Sequence, residues 1–139
     1  MNPLFAAHKH YGSLLLVLIL AVIVVALTKG PKPVLQRIVA VLVDINLVVG
    51  LLVVFQAEAR NVSWFHPLFA LGAVGLLHAS AKSEDKAKVV RCFSIALVLL
   101  VAAWSVNAAW GPSFFRDEKG QPILPIKSLS AESPAPVAK

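Results

Sequence analysis

Four long apolar runs dominate this 139-residue chain and leave it little choice of fold. Leu14 to Leu27 contains no charged side chain, and Val34 to Phe55 is interrupted only by Gln36, Arg37, Asp44 and Asn46. Trp64 to Ala79 holds two histidines, and Val89 to Ala109 holds scattered Arg91, Ser94, Ser105 and Asn107. With its flanks, each run reaches roughly 20 residues, about 30 Å as a helix, which is the thickness of a bilayer core. Lipid offers no partner to free N–H and C=O groups, so spans must be helices or closed barrels. The alternation of a barrel strand is absent. The expectation is an all-α protein: a four-transmembrane-helix antiparallel up-down bundle over residues 1–111, with a Pro-rich C-terminal tail at 112–139.

Composition agrees. Hydrophobic residues make up 58% of the chain and charged ones 14%, more apolar surface than a soluble domain of this size can hide. The formal charge of +6 is spread over loops, which fits topology and lipid contact and leaves no basic domain to hold nucleic acid. A single cysteine, Cys92, excludes an internal disulfide, a cysteine-built metal cluster and a covalent c-type haem. The first run resembles a signal peptide, but no small-residue cleavage pattern follows it, so it reads as a retained span.

Punctuation places the helix ends. Asn2-Pro3 is a cap followed by proline at the first helical position. Gly30-Pro31-Lys32-Pro33 ends the first helix, and the second runs to about Glu58. Asn61 or Ser63 caps the third, with Pro67 in its first turn. Ser83, Glu84 and Asp85 cap the fourth, and Gly111-Pro112 stops it. One side of the bundle then carries Lys29, Lys32, Arg37, Lys82, Lys86, Lys88 and Arg91. By the positive-inside rule that side is cytoplasmic, so both termini lie outside a bacterial inner membrane. Nine of the aromatic residues fall toward the outer face, an interfacial belt that also suits docking against larger membrane subunits. The tail, rich in Pro, Ser, Ala and Lys, is expected to be disordered unless something holds it down.

The candidate chemistry lies in histidines and in intramembrane polar groups. His8, His10 and His66 share one depth near the outer face. The first and third helices stand diagonally in a square bundle, with axes on the order of 12–14 Å apart. Inward imidazoles from His8 and His66 could clamp the iron of a b-type haem between them. Gly12, one turn below His8, leaves room for a macrocycle, whereas His10 points away. The alternative is that these are solvated interfacial histidines with no cofactor. His78 lies ~18 Å deeper than His66, so no second pair forms. Zinc is disfavoured, because no carboxylate accompanies the outer histidines.

Asp44 and Asn46 lie on opposite faces of the second helix, one looking into the bundle and the other meeting a neighbour. No basic residue lies at the depth of Asp44, which is therefore expected to be protonated or paired outside the chain. Only His78 is near enough to join a proton relay, and neither an inverted repeat nor a broken helix supports a transporter. Gly50, Gly72 and Gly75 read as points of close helix packing.

Three segments carry a family likeness: His8 at the mouth of the first span, Asp44-Ile45-Asn46-Leu47-Val48-Val49-Gly50-Leu51-Leu52 in the second, and His66-Pro67 with Ala73-Val74-Gly75-Leu76-Leu77-His78 in the third. In these the chain resembles small four-helix bacterial membrane proteins labelled cytochrome b-like. Two departures stand out. Gly12-Ser13 occupies the place of an arginine–aromatic pair, and Phe65 that of an acid before His-Pro. The resemblance implies a subunit of a respiratory or photosynthetic electron-transfer complex, one haem b on His8 and His66, and a quinone or another redox partner. A cofactor-free accessory subunit that stabilises a larger complex is the rival expectation. No catalytic constellation for bond-making chemistry is visible.

Overall fold

The computed structural model describes residues 3–54, 62–107 and 112–126. It is all-helical, with α1 at Pro3–Lys29, α2 at Pro33–Val54, α3 at Phe65–Ser80 and α4 at Lys86–Asn107. A 3₁₀ turn at Ser113–Phe115 follows. Helices α1, α2 and α4 are long and apolar enough to cross a membrane, as a multi-pass membrane protein requires. The sequence suggested four spans of equal reach, but α3 has only 16 residues, about 24 Å of helix. The second span's expected end near Glu58 and the caps at Asn2 and Asn61 lie outside the described residues.

The helix ends follow their local chemistry. Gly30 takes φ +81°, a conformation open to glycine, and proline at the start of α2 gives up a hydrogen bond that the first turn lacks anyway. Asp85 caps α4 by accepting from Ala87 N at 2.9 Å and Lys88 N at 3.3 Å, while Ser83 Oγ accepts from Asp85 N. Lys86 Nζ donates to Leu27 O at 2.8 Å, joining α4 to a free carbonyl in the last turn of α1.

Around the bundle, α1 packs beside α2 and α4, and α3 packs beside the same two, so α1 and α3 stand diagonally as expected. The core is narrow. Ile19, Val22, Val39, Leu77, Val89 and Phe93 are buried together with Ala26, Ala40, Ala73 and Ala96. The alanines let backbones approach, which matters where lipid supplies no hydrophobic force between helices. The outside is as apolar as the inside: Leu14, Val17, Leu20, Val24 and Leu27 of α1 are each at least half exposed. In water such a surface would aggregate; in hydrocarbon it is the solvated face.

One fully buried polar side chain ties the basic end together. Gln36 Nε2 on α2 donates to Ser80 O at 2.9 Å and Ser83 O at 3.0 Å, fixing the turn between α3 and α4. Its Oε1 is buried without a partner. Gln36→Leu removes that orphan acceptor but strands two carbonyls, and the second effect dominates. The expected loss is about 2 kcal/mol of unfolding free energy, measured by denaturation in mixed micelles. Unchanged stability would show that water serves the two carbonyls equally well.

The described part of the tail meets the condition that the sequence set, because contacts hold it down. Residues 112–126 are held down over the end of the bundle instead of trailing free. Trp64 N donates to Leu124 O at 3.0 Å and Ile126 N to Val62 O at 2.7 Å. Ser63, fully buried, donates from Oγ to Ile123 O and from its backbone N to Asn107 Oδ1. Its Oγ also accepts from Phe65 N, so Ser63 both opens α3 and anchors the returning chain. Phe115 stacks against Phe65, Phe69 and Phe114, with ring centroids 4.4–6.1 Å apart.

Candidate functional site: a paired-histidine cavity

His8 lies in the second turn of α1 and His66 at the first turn of α3, both at the end of the bundle closed by residues 112–126. Their rings come together across the diagonal, with centroids 6.0 Å apart and planes at 74°. Each ring is held by a third helix. His8 Nδ1 is 3.1 Å from Asn46 O on α2, and His66 Nδ1 is 2.7 Å from Ala103 O on α4. A carbonyl only accepts, so Nδ1 carries the proton and donates. In each neutral ring Nε2 is then left with its lone pair, the arrangement in which metal-binding imidazoles are usually oriented.

Glycine makes this seat possible. Within α2 the carbonyl of Asn46 already receives the backbone N–H of residue 50, four positions on. That residue is Gly50, and an added Cβ would stand 2.7 Å from His8 Cε1. Its absence opens the flank of the carbonyl to the ring. The expected role of Gly50 in plain helix packing is thus refined: it makes room for a histidine. Gly12 is similarly tight, since a Cβ there would lie 3.3 Å from Asn46 Nδ2. Gly72 does meet a neighbouring helix, at Leu99, but Gly75 has nothing within 4 Å, so close packing does not explain it.

In Gly50→Ala the obstacle is the end of a side chain, not backbone, so the helices should stay put while the His8 ring swings away. Nitrogen NMR of the labelled ring should then report loss of the hydrogen bond to Asn46. A signal that does not move would place the ring elsewhere.

The rings sit in a cavity of ≈ 470 Å³ whose walls include Gly12, Asn46, Gly50, Trp104 and Ile126. Asn46 also carries a buried Oδ1 with no hydrogen-bond partner. His10, as the helical spacing requires, is exposed and takes no part. Among the described residues no three His, Cys, Asp or Glu side chains gather as a metal cage. A protein-only metal centre is therefore not built from them, and a pair of imidazoles is what the cavity offers.

Two imidazoles on opposite sides of one metal ion, each bonded at about 2.0 Å, have centroids about 6 Å apart. At the observed spacing His8 and His66 would be able to hold one metal ion together, with the unpartnered Asn46 Oδ1 beside them as a polar contact.

Asp44 and Asn46 do divide between faces as anticipated, Asn46 toward the cavity and Asp44 away from it. The expectation that Asp44 lacks a partner in the chain is corrected. Its carboxylate oxygens lie 2.8 and 3.0 Å from His78 Nε2 on α3. His78 is the one titratable group that the sequence places near Asp44, though not as its partner. The Cβ bonds of the antiparallel α2 and α3 tilt toward their own N-termini and close the gap. The pair is half exposed on the outside of the bundle, far from His8 and His66.

Sequence reasoning missed Gln36, noted only as an interruption, and the roles of Asn107, Trp104 and Ile126. The fold and site together define a multi-pass four-helix bundle with a paired-histidine cavity at one end. Comparisons with protein-family models, with curated proteins and with solved structures found no match.

Proposed function

We propose that this chain is a small subunit of a respiratory or photosynthetic electron-transfer complex in a bacterial inner membrane, holding one b-type haem between His8 and His66. The observation that supports it is the ring pair with centroids 6.0 Å apart, each Nδ1 engaged by a carbonyl of a different helix, in a cavity lined by Gly12 and Gly50. The likeness to cytochrome b-like proteins points the same way. A bound haem supplies one-electron transfer to or from a quinol or a redox partner, with its potential set by axial ligands and burial.

The chain's own residues do the rest. His8 and His66 would hold the iron, the carbonyls of Asn46 and Ala103 orient the rings, and Ile126 and Trp104 line the cavity. The basic residues at the opposite end support, by the positive-inside rule, a site toward the outer face with both termini outside. The test is a reduced-minus-oxidised spectrum and haem stoichiometry of the purified chain, expressed with haem supplied. A b-type band at about one haem per chain is expected, and a spectrum without one removes the cofactor from the proposal.

A second reading rests on a different observation. Trp64 and Phe114 are 56% and 70% exposed at the cavity end, an aromatic face suited to a larger membrane subunit. The ring pair is then an edge-to-face contact that closes the bundle with no cofactor. Under that reading His8→Ala and His66→Ala leave assembly intact, whereas removing the aromatic face loosens it.

A further inference from the structure

At the opposite end of the bundle a second hollow of ≈ 670 Å³ opens between α2, the end of α3 and the start of α4. Three cations line it, Arg37, Lys82 and Lys88, and no aspartate or glutamate does. Among the described residues none of these three meets a carboxylate: the one cation–carboxylate contact is His78 with Asp44. Arg37 spends its Nε on Pro33 O at 3.3 Å, which leaves both terminal amino groups of its fork for another acceptor. The nearby Asp85 is committed to capping α4.

The other walls are the apolar Ala40, Val41, Ala79 and Ala81 with Ser83 and His78, whose Nε2 is taken up by Asp44. Val41 is 52% exposed and begins a stripe continued by Ile45 at 50% and Val48 at 55%, at the i, i+4, i+7 spacing of one helix face, beside Asp44, which is held by His78. An anionic pocket occupant is thus offered a hydrocarbon track leading from its headgroup into the bilayer. A free anion has no use for that track.

We propose that this hollow is a binding site for one anionic phospholipid. Its phosphate sits among Arg37, Lys82 and Lys88, and one acyl chain lies along Val41, Ile45 and Val48. Arg37 supplies planar, bidentate donors and the lysines supply mobile point charges, the mixture that suits a phosphodiester. The site is independent of any haem at the other end.

The test uses the delipidated full chain in neutral detergent, titrated separately with phosphatidylglycerol and phosphatidylcholine and followed by native mass spectrometry. One phosphatidylglycerol should be retained with a clear preference over phosphatidylcholine. Each basic residue contributes about fivefold at an anionic surface, so Arg37→Gln, Lys82→Gln and Lys88→Gln together should weaken that binding about 100-fold. Lys9→Gln with Lys119→Gln, remote from the hollow, should leave it unchanged. Should the triple variant fail to fold by circular dichroism, Arg37→Gln alone is expected to lose about fivefold.

Equal binding of the two lipids, or undiminished binding by the folded variant, overturns the proposal. Displacement of the lipid by an equal concentration of inorganic phosphate also overturns it, because the ligand would then be the free anion.

Discussion

Chain carrying His66→Ala should retain less than about a tenth of the haem bound by the unaltered chain, and His8→Ala should do the same. On the proposed reading each imidazole would supply one of two donors to the iron, and among the described residues neither has another histidine within reach. His10 on the same helix is exposed and turned away, and His78 sits twelve residues further along α3. The paired variants His10→Ala and His78→Ala should therefore keep the full b-type band. The contrast between the two pairs matters more than either loss alone, because general misfolding would affect all four. Helical content should persist in His66→Ala, since its Nδ1 bond to Ala103 O is a single contact added to an already hydrogen-bonded α4. If His10→Ala also bleached the spectrum, the assignment of His8 and His66 as the ligand pair would fail.

Ile126→Asp should release the segment that closes the cavity. Ile126 is 2% exposed, lines the cavity, and follows a run of hydrogen bonds from Val62 to Leu124. Burying an isoleucine is worth about 1.5–3 kcal/mol, and a carboxylate in its place must be desolvated to stay buried. The segment should detach and leave α1–α4 in lipid. Hydrogen exchange at the Trp64 amide, now bonded to Leu124 O, should quicken by about 100-fold, the factor that corresponds to losing roughly 2.7 kcal/mol of local protection. Exchange that stays slow would mean the hydrogen bonds around Ser63 hold the segment without its apolar anchor.

The two variants probe the site from different sides. One removes a ligand with the walls intact, and the other removes a wall with the ligands intact. Loss of haem in both, with helices retained in both, is the pattern expected of a cofactor that needs ligation and dryness together.

Much of the architecture was legible in advance because it depends on local chemistry. Span positions follow from apolar run length, turns from Gly30 and the prolines around it, and the cap of α4 from Asp85. The division of Asn46 from Asp44 and of His8 from His10 follows from helical periodicity alone. Given short loops, the diagonal placement of α1 and α3, and hence the meeting of His8 with His66, could also be reasoned out.

What remained hidden are relations between segments distant along the chain. Side-chain tilt and axial offset, which residue counting does not supply, bring Asp44 to His78. Gln36 reaches the carbonyls of Ser80 and Ser83 only once α3 proves short enough to end at its level. The return of residues 112–126 depends on Ser63 and Asn107 finding partners some 40 to 60 residues away, in a segment whose composition suggests disorder. Hydrophobic periodicity is written along the chain and can be read there. Hydrogen bonds between helices are set by rotation and offset of whole elements, and those are settled only when the bundle packs.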